Sequence, residues 1–488
     1  MAEGGGLENR IPPCGTGVRI PPPPPSTGET RVKRWALRIV LALAGGLSSY
    51  IGLSALLFVA AIHRASLSQE SRHWAVFPSL QAGDRLLIIA PHPDDEVLGC
   101  GGLIATAATV GVPVRVVYLT NGDGFTAAAA LTARTTPEAD ECLQLGRLRQ
   151  QESLRGLQAL GLSPKDAVFL GYPDKGLLPM AVRPNRVYRS YATQATAVPY
   201  TNALSPNTPY LAHALIADLR RVIAEFQPTR IFTTHPLDDH EDHTAAALFT
   251  REAIEQATSA GELTHKPALY YYLVHRGDWP LPQGEHPSRP LIPPLGLLHE
   301  AWLSFPLTPS ALERKCAALQ AHESQYALMK RFLSSFLRQN ELFTPASPPR
   351  AYSTQPYDDN PTIHLQPRAD IVSVQAQAGR KGMRVSIETL KPCRPPYQME
   401  LTLLNVDSAG NWSDTRWRYP NTRLTARREG NTLHLWLPHG AMDSAERAYL
   451  MMRITLYGAE LDRTGFIPIP ARAVSDTPTP VSTTRFAP

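Results

Sequence analysis

The sequence predicts an α/β protein: a Rossmann-like, mostly parallel sheet, preceded by one transmembrane helix and followed by a small all-β sandwich. Three observations predict it. Short apolar runs alternate with helix-period segments between residues 85 and 344. One uncharged stretch of membrane-spanning length lies near the N-terminus, and after residue 368 the apolar period changes to two.

The first strand is Leu86 to Ala90, apolar at every position as a strand covered on both faces is, and Pro91 and Pro93 end it. Val97 to Val110, small, apolar and free of proline, reads as the next helix, with Asp94, Asp95 and Glu96 at its positive end. Val114 to Thr120 is the second strand and runs into the turn-forming Asn121-Gly-Asp-Gly124. Leu143 to Leu160 carries leucines at helical spacing and stops at Gly161, a C-cap residue. Ala167 to Leu170 is the third strand, ending in Gly171-Tyr-Pro-Asp174. A helix over Ala212 to Phe226, stopped by Pro228, leads to the fourth strand, Arg230 to Thr234, and to His235-Pro236. Thr244 to Ala257 is a helix and Ala268 to Val274 a further strand. This alternation implies right-handed crossovers and parallel strands. The first four strands each end in a polar turn bearing acids or histidines, and in a parallel sheet those turns share one rim, which favours a site there over unrelated surface loops.

Residues 1–34 read as a disordered tail rich in Gly and Pro, with the run Pro21 to Pro25. Arg31, Lys33, Arg34 and Arg38 then precede Ile39 to Ile62, which holds no charged residue. As a helix that stretch spans roughly 36 Å against about 30 Å of bilayer core, so residues 35–63 read as a transmembrane helix. A cleaved signal peptide is the alternative, but its apolar core ordinarily runs only about 7 to 15 residues. The basic cluster before the helix puts the N-terminus in the cytoplasm and the chain after Arg64 on the outer, periplasmic or extracellular side.

Residues 64–84 read as a linker, 85–344 as the catalytic domain, 345–367 as a Pro-rich linker, 368–472 as the β-sandwich and 473–488 as a tail. In the sandwich Met383 to Ile387, Glu400 to Leu404, Thr432 to Leu437 and Tyr449 to Tyr457 alternate or cluster β-favouring residues. A net charge of +5 on 488 residues, with no long Lys/Arg run outside the N-terminal flank, gives no indication of nucleic-acid binding. The cysteines Cys14, Cys100, Cys142, Cys316 and Cys393 make neither a zinc spacing nor a disulfide framework.

A hydrolytic metal site needs about three protein ligands and an open position. His92 and Asp95 lie close enough in one tight loop to grip one ion, and a third ligand can come from Thr234-His-Pro-Leu-Asp-Asp-His-Glu-Asp-His243. There His240 and His243 project from one face of a helix start, so that one can bind metal while the other reaches substrate. Taken alone, His-Pro-Asp-Asp can be a mere helix cap and the His-rich turn a solvated loop. Their joint placement at parallel strand ends favours a metal site.

Ala90-Pro-His-Pro-Asp-Asp-Glu-Val-Leu-Gly-Cys-Gly-Gly102 resembles the first signature of the PIG-L/LmbE-like metal-dependent de-N-acetylases. His240-Glu-Asp-His243 resembles the second, usually His-Pro-Asp-His. Asn121-Gly-Asp-Gly124, Arg149-Gln-Gln-Glu152 with Leu160-Gly161, Phe169-Leu-Gly-Tyr-Pro-Asp174 and Lys315-Cys-Ala-Ala-Leu-Gln-Ala-His-Glu-Ser-Gln325 follow in the family's order. The resemblance covers about residues 85 to 340. It implies that His92, Asp95 and His243 hold one divalent ion, most often Zn²⁺, and that Asp94 is the general base. His240, as an imidazolium, would stabilise the oxyanion and help protonate the leaving amine. Arg149 resembles a substrate-contacting arginine, while Asp174 and Asp123 would contact sugar hydroxyls or orient the metal histidines. The implied activity is hydrolysis of an N-acetyl group on an N-acetylglucosamine-type sugar or glycolipid by a membrane-anchored enzyme. The alternative is a membrane-tethered glycan-binding protein with an inactive hydrolase domain, against which the retention of all five motif residues argues.

Overall fold

The computed structural model describes residues 27–70, 72–133, 136–346, 352–353, 366–379, 382–421 and 424–469. The expected N-terminal tail up to residue 26, most of the Pro-rich linker and the tail after residue 472 lie outside the described residues. The chain divides into the units Met1–Arg64 and Ala65–Pro488. Most of helix α1 (Thr27–Ser68) lies in the first, and its stretch Leu37–Leu57, of mean hydropathy 1.8, is long and apolar enough to cross a membrane.

In the second unit the first strands are β1 (Ala75–Val76), β2 (Leu86–Ala90), β3 (Val114–Thr120), β4 (Ala167–Tyr172), β5 (Arg230–Thr234), β6 (Ala268–Tyr272), β7 (Leu303–Pro306) and β8 (Asn340–Pro345). They form one sheet in the order β1-β7-β8-β6-β5-β2-β3-β4. From β6 to β4 every neighbour is parallel, whereas β8 runs antiparallel to both β6 and β7, so the sheet is mixed. The helices are α2 (Asp95–Thr109), α3 (Thr126–Ala133), α4 (Ala139–Leu160), α5 (Leu177–Val182), α6 (Ala212–Phe226), α7 (Glu241–Ser259), α8 (Pro309–Ala321) and α9 (Glu323–Leu333).

Both faces of the sheet are covered, which explains the unbroken apolar run of β2. Leu86 and Ile88 enter the core that contains Leu103 of α2, Leu157 of α4 and Leu319 of α8. Leu87 and Ile89 enter the opposite core with Leu219 of α6 and Phe249 of α7. Residues 64–84, read as a linker, instead supply an edge strand: β1 pairs with β7, and buried Phe77 packs edge-on against Tyr270 and Phe343 at 4.9 and 5.1 Å between centroids. A two-residue strand has no periodicity to betray it.

The C-terminal strands are β9 (Tyr352–Ser353), β10 (Ile371–Gly379), β11 (Gly382–Thr389), β12 (Tyr397–Val406), β13 (Trp412–Tyr419), β14 (Thr425–Glu429), β15 (Thr432–Leu437), β16 (Arg447–Leu456), β17 (Ala459–Arg463) and β18 (Ile467–Ile469). They make two antiparallel sheets, β14-β15-β11-β10-β9 and β13-β12-β16-β17 with β18 on β16. Val385 and Leu435 of the first share a core with Leu403 and Leu450 of the second. The alternate residues Leu404, Val406, Tyr449 and Met451 turn the other way and join the core that holds Phe249 and Ile254 of α7. Fully buried Glu252 of α7 ties this contact, accepting from Arg447 Nε at 3.0 Å and from the Tyr449 hydroxyl.

Candidate active site

The site grows from the carboxyl end of β2. Pro91 O accepts from Thr120 N–H at 3.0 Å and from the Thr120 hydroxyl at 2.9 Å, which fixes the chain as it leaves the strand. Asp94 then turns with φ 108°, a left-handed conformation, and its N–H donates to Glu96 Oε2 at 3.0 Å. Arg149 of α4 closes the loop from above: its Nη2 donates to Pro93 O at 2.6 Å and its Nη1 to Gly122 O at 2.9 Å. Gly122 has φ +64°, and a Cβ there would overlap the Arg149 guanidinium, so that turn admits no side chain.

Three donor atoms face one another in this corner. His92 Nδ1 lies 3.2 Å from Asp95 Oδ2, and His243 Nε2 lies 3.1 Å from that oxygen and 3.2 Å from His92 Nδ1. A tetrahedral zinc site with ligands at roughly 2.0 Å has ligand-to-ligand edges of about 3.3 Å, so the triangle has the size a divalent ion requires. Each ring also turns its outer nitrogen to a carboxylate. His92 Nε2 meets Asp242 Oδ2 at 3.2 Å and Asp174 Oδ1 at 3.4 Å, and His243 Nδ1 meets Asp238 Oδ2 at 3.2 Å. Such outer carboxylates fix the ring and tautomer of a ligating histidine.

Electrostatics follow from this crowding. Burial opposes charge on His92, but Asp174, Asp242 and Asp95 outweigh it and hold the ring well above its ordinary value. Burial opposes charge on His243 too, and Asp238 and Asp95 bring it to about 9. Burial pushes Asp94 up to about 7, with Arg149 pulling down and Asp95 pushing up. Buried His240 goes the other way: burial first, then the rings of His92, His243 and His275, hold it well below its ordinary value. Its Nδ1 accepts from Asp242 N–H at 3.2 Å, which leaves the proton on Nε2. That downward shift runs against the imidazolium that the resemblance implies.

His92, Asp94, Asp95, Arg149, Asp174 and His240 all line one cleft of about 240 Å³, and His243 lies buried behind it. Asp123 does not line it; its Oδ2 accepts from the Tyr200 hydroxyl at 2.6 Å, inside the protein. Arg149, expected to contact substrate, is buried, spends two nitrogens on backbone carbonyls and stands 3.7 Å from Asp94 Oδ2. Sequence reasoning missed Asp238, Asp242 and His275. The signal for the first two was their place beside His240 and His243, each carboxylate accepting from backbone N–H groups as well as facing a histidine. Buried His322, for which the sequence suggested no role, sits with Nε2 3.4 Å from Glu96 Oε1, and Glu96 also accepts from the Tyr118 hydroxyl at 2.8 Å.

Residues 87–254, which contain His92, Asp94, Asp95, Arg149, Asp174, His240 and His243, match the PIG-L family model, described as GlcNAc-PI de-N-acetylase. A 1D-myo-inositol 2-acetamido-2-deoxy-alpha-D-glucopyranoside deacetylase from Rhodococcus erythropolis is 30% identical over 231 residues, covering 42% of this chain and 71% of its own length. The chain belongs to the PIG-L family. The Tsukamurella paurometabola deacetylase of the same name is 29% identical over 276 residues, covering 50% of this chain and 84% of its own. Among solved structures, the N,N'-diacetylchitobiose deacetylase from Pyrococcus horikoshii aligns with TM-score 0.35 and 20% identity over 54% of this chain and 84% of its own. Membership rests on the sequence relatives, not on that weak superposition. As a PIG-L enzyme the chain is an N-deacetylase of the metal-dependent kind. Its departure from the usual second PIG-L motif, Glu241, faces away from the triangle and lies 3.6 Å from Arg463 of β17.

Proposed function

We propose that this PIG-L enzyme is held to a membrane by α1, with its catalytic residues on the outer side, and removes the acetyl group from an N-acetylglucosamine-type sugar or glycolipid. The observation that carries the reading is the triangle of His92, Asp95 and His243 beside a buried Asp94 whose carboxyl is raised to about 7. The triangle would hold a divalent ion, Zn²⁺ by its donor set, which when bound polarises the amide carbonyl and acidifies water.

The chain's own residues do the rest. Asp94, near neutral in pKa, accepts the proton of the attacking water and returns it to the departing nitrogen, which leaves as the free amine while acetate is released. His240 donates Nε2–H to the developing oxyanion as a neutral ring, the form that its burial among other imidazoles favours. Asp242, Asp174 and Asp238 hold His92 and His243 in place. Arg149 keeps the Asp94 loop against the Gly122 turn. The names of the Rhodococcus and Tsukamurella relatives support an acetamido-glucoside as the substrate type. Acetate release by the full chain from N-acetylglucosaminides, lost in Asp94→Asn, tests the reading; acetate released equally by the variant, or from none of a panel of such sugars, would overturn it.

A further inference from the structure

The loop that brings His240 to the cleft is held from two sides. On the inner side the chain after β6 ties it: Asp239 N–H donates to His275 O at 2.9 Å, and the Asp238 carboxylate accepts from the N–H groups of Val274 and His275 at 3.0 Å. On the outer side its neighbour is the C-terminal β region, which lies beyond the residues that the family model matches. Leu237 packs against the core of that region. Buried Gly465 passes so close to Pro236 that a Cβ on it would overlap the Pro236 carbonyl oxygen, a backbone atom with no rotamer to move into. Arg463, at the end of β17, reaches across as well. Its Nη2 donates to Asp239 O at 2.6 Å, and its Nη1 lies 3.6 Å from Glu241 Oε1.

Arg463 is itself fixed. Its side chain is only 12% exposed, and its Nη1 meets Glu460 Oε1 at 3.1 Å. The next residue, Thr464, is fully buried and pinned to β16: its N–H donates to Met452 O at 2.8 Å, and its hydroxyl oxygen accepts from Met452 N–H at 2.9 Å. A planar guanidinium anchored in this way passes the stiffness of the sheet to the loop.

The residue it grips is the one at which this chain departs from the usual His-Pro-Asp-His. The backbone there would accept a proline. Glu241 is the first residue of α7, where an N–H has no helical partner, and His240 stands at φ −77° and ψ 129°, the extended conformation that precedes proline. A proline ring would stiffen the loop from within, whereas here the constraint comes from outside.

We propose that Arg463 is a positioning residue for the deacetylase, bracing the loop from Pro236 to Glu241 so that His240 keeps its place at the cleft. The bracing rests on these contacts alone; its consequence for turnover rests on the deacetylase reading, in which His240 faces the oxyanion.

The test compares Arg463→Ala, Glu241→Pro and the two together in the full, detergent-solubilised, zinc-loaded chain. Arg418→Ala, which removes a β13 arginine paired with Glu400, is the control. Hydrogen exchange over residues 236–240, read by mass spectrometry, is expected to quicken about tenfold or more in Arg463→Ala and to stay unchanged in the control. For acetate release from an N-acetylglucosaminide, kcat is expected to fall about 10- to 100-fold in Arg463→Ala, with KM within about twofold and zinc content unchanged. Glu241→Pro alone keeps kcat, and in that background Arg463→Ala lowers it by less than about threefold, because the two constraints act on the same loop. An arginine that only stabilises the β region would give the same loss in both backgrounds. That result, or exchange and kcat both unchanged in Arg463→Ala, overturns the proposal. Arg463→Gln, which keeps a donor for Asp239 O and removes the charge, carries the same comparison if the alanine chain does not fold. If no chain releases acetate from any sugar, the deacetylase reading fails while the exchange comparison still decides the bracing.

Discussion

His243 stands between two carboxylates: its Nε2 is 3.1 Å from Asp95 Oδ2 and its Nδ1 is 3.2 Å from Asp238 Oδ2. Asp95 shares the metal-sized triangle, whereas Asp238 lies behind the ring and also accepts from the N–H groups of Val274 and His275 at 3.0 Å. In Asp238→Asn the amide oxygen still accepts those N–H groups, but the charge that orients and enriches the imidazole is gone. Metal affinity is expected to fall about 10- to 100-fold, read by chelator competition. An unchanged affinity would show that the ring is held by packing alone.

Asp94 separates base from ligand. Asp94→Asn keeps the size of the side chain and the three donor atoms of the triangle, so metal content stays near that of the unsubstituted chain while kcat drops by about 10²–10⁴. Loss of metal together with activity would instead make Asp94 part of the binding set.

Much of this site was legible because its parts announce themselves locally. The β2 run, its two prolines and the acids after them define a strand that stops at a loop, and the strand bounds Leu86–Ala90, Val114–Thr120 and Arg230–Thr234 read from the sequence are those observed. What stayed hidden depends on distant partners. The antiparallel β7 and β8 carry no alternation that marks their direction, and β1 is only two residues long. Asp238 and Asp242 looked like part of an acidic surface turn until the fold placed His243 and His92 against them. The downward shift of His240 comes from burial and then from three neighbouring imidazoles, two of them from other segments of the chain.

A buried ion pair supports α2 beneath the site. Lys315 Nζ lies 2.7 Å from Glu341 Oε1 and donates to Leu98 O at 2.9 Å, while Glu341 accepts from the N–H groups of Gly102 and Leu103 at 2.7 and 2.8 Å. Lys315→Met strands the Glu341 charge and is expected to cost about 3–5 kcal/mol. Lys315→Met/Glu341→Gln should recover part of that loss, since the amide oxygen still accepts from the helix. Thermal unfolding by calorimetry checks the order; a double variant less stable than the single would contradict it.

Asp123 gives the chain a pH signature. Burial, then the charge of Asp174, raises its carboxyl to about 7 against the pull of the Tyr200 hydroxyl. An unfolded aspartate titrates at about 3.9, so between the two values the folded chain holds a proton that the unfolded chain has released. The stability linked to this proton is full at the acid end and is lost as pH rises to about 7. Asp123→Asn cannot ionise and its oxygen still accepts from Tyr200. Its stability relative to the unsubstituted chain should therefore rise with pH, by on the order of a few kcal/mol between about pH 5 and about pH 8. Parallel melting-temperature curves for the two proteins would contradict the assignment.

The most direct test of the central claim is a metal titration with an activity readout. The full chain, depleted of metal by chelation and dialysis, is titrated with Zn²⁺ while acetate release from an N-acetylglucosaminide is followed, alongside His243→Ala and Asp95→Asn. The account predicts no acetate before metal is added, recovery complete at about one equivalent per chain, and no recovery in either variant. Acetate release from the depleted chain, or one-equivalent recovery in a chain lacking His243 or Asp95, would contradict it.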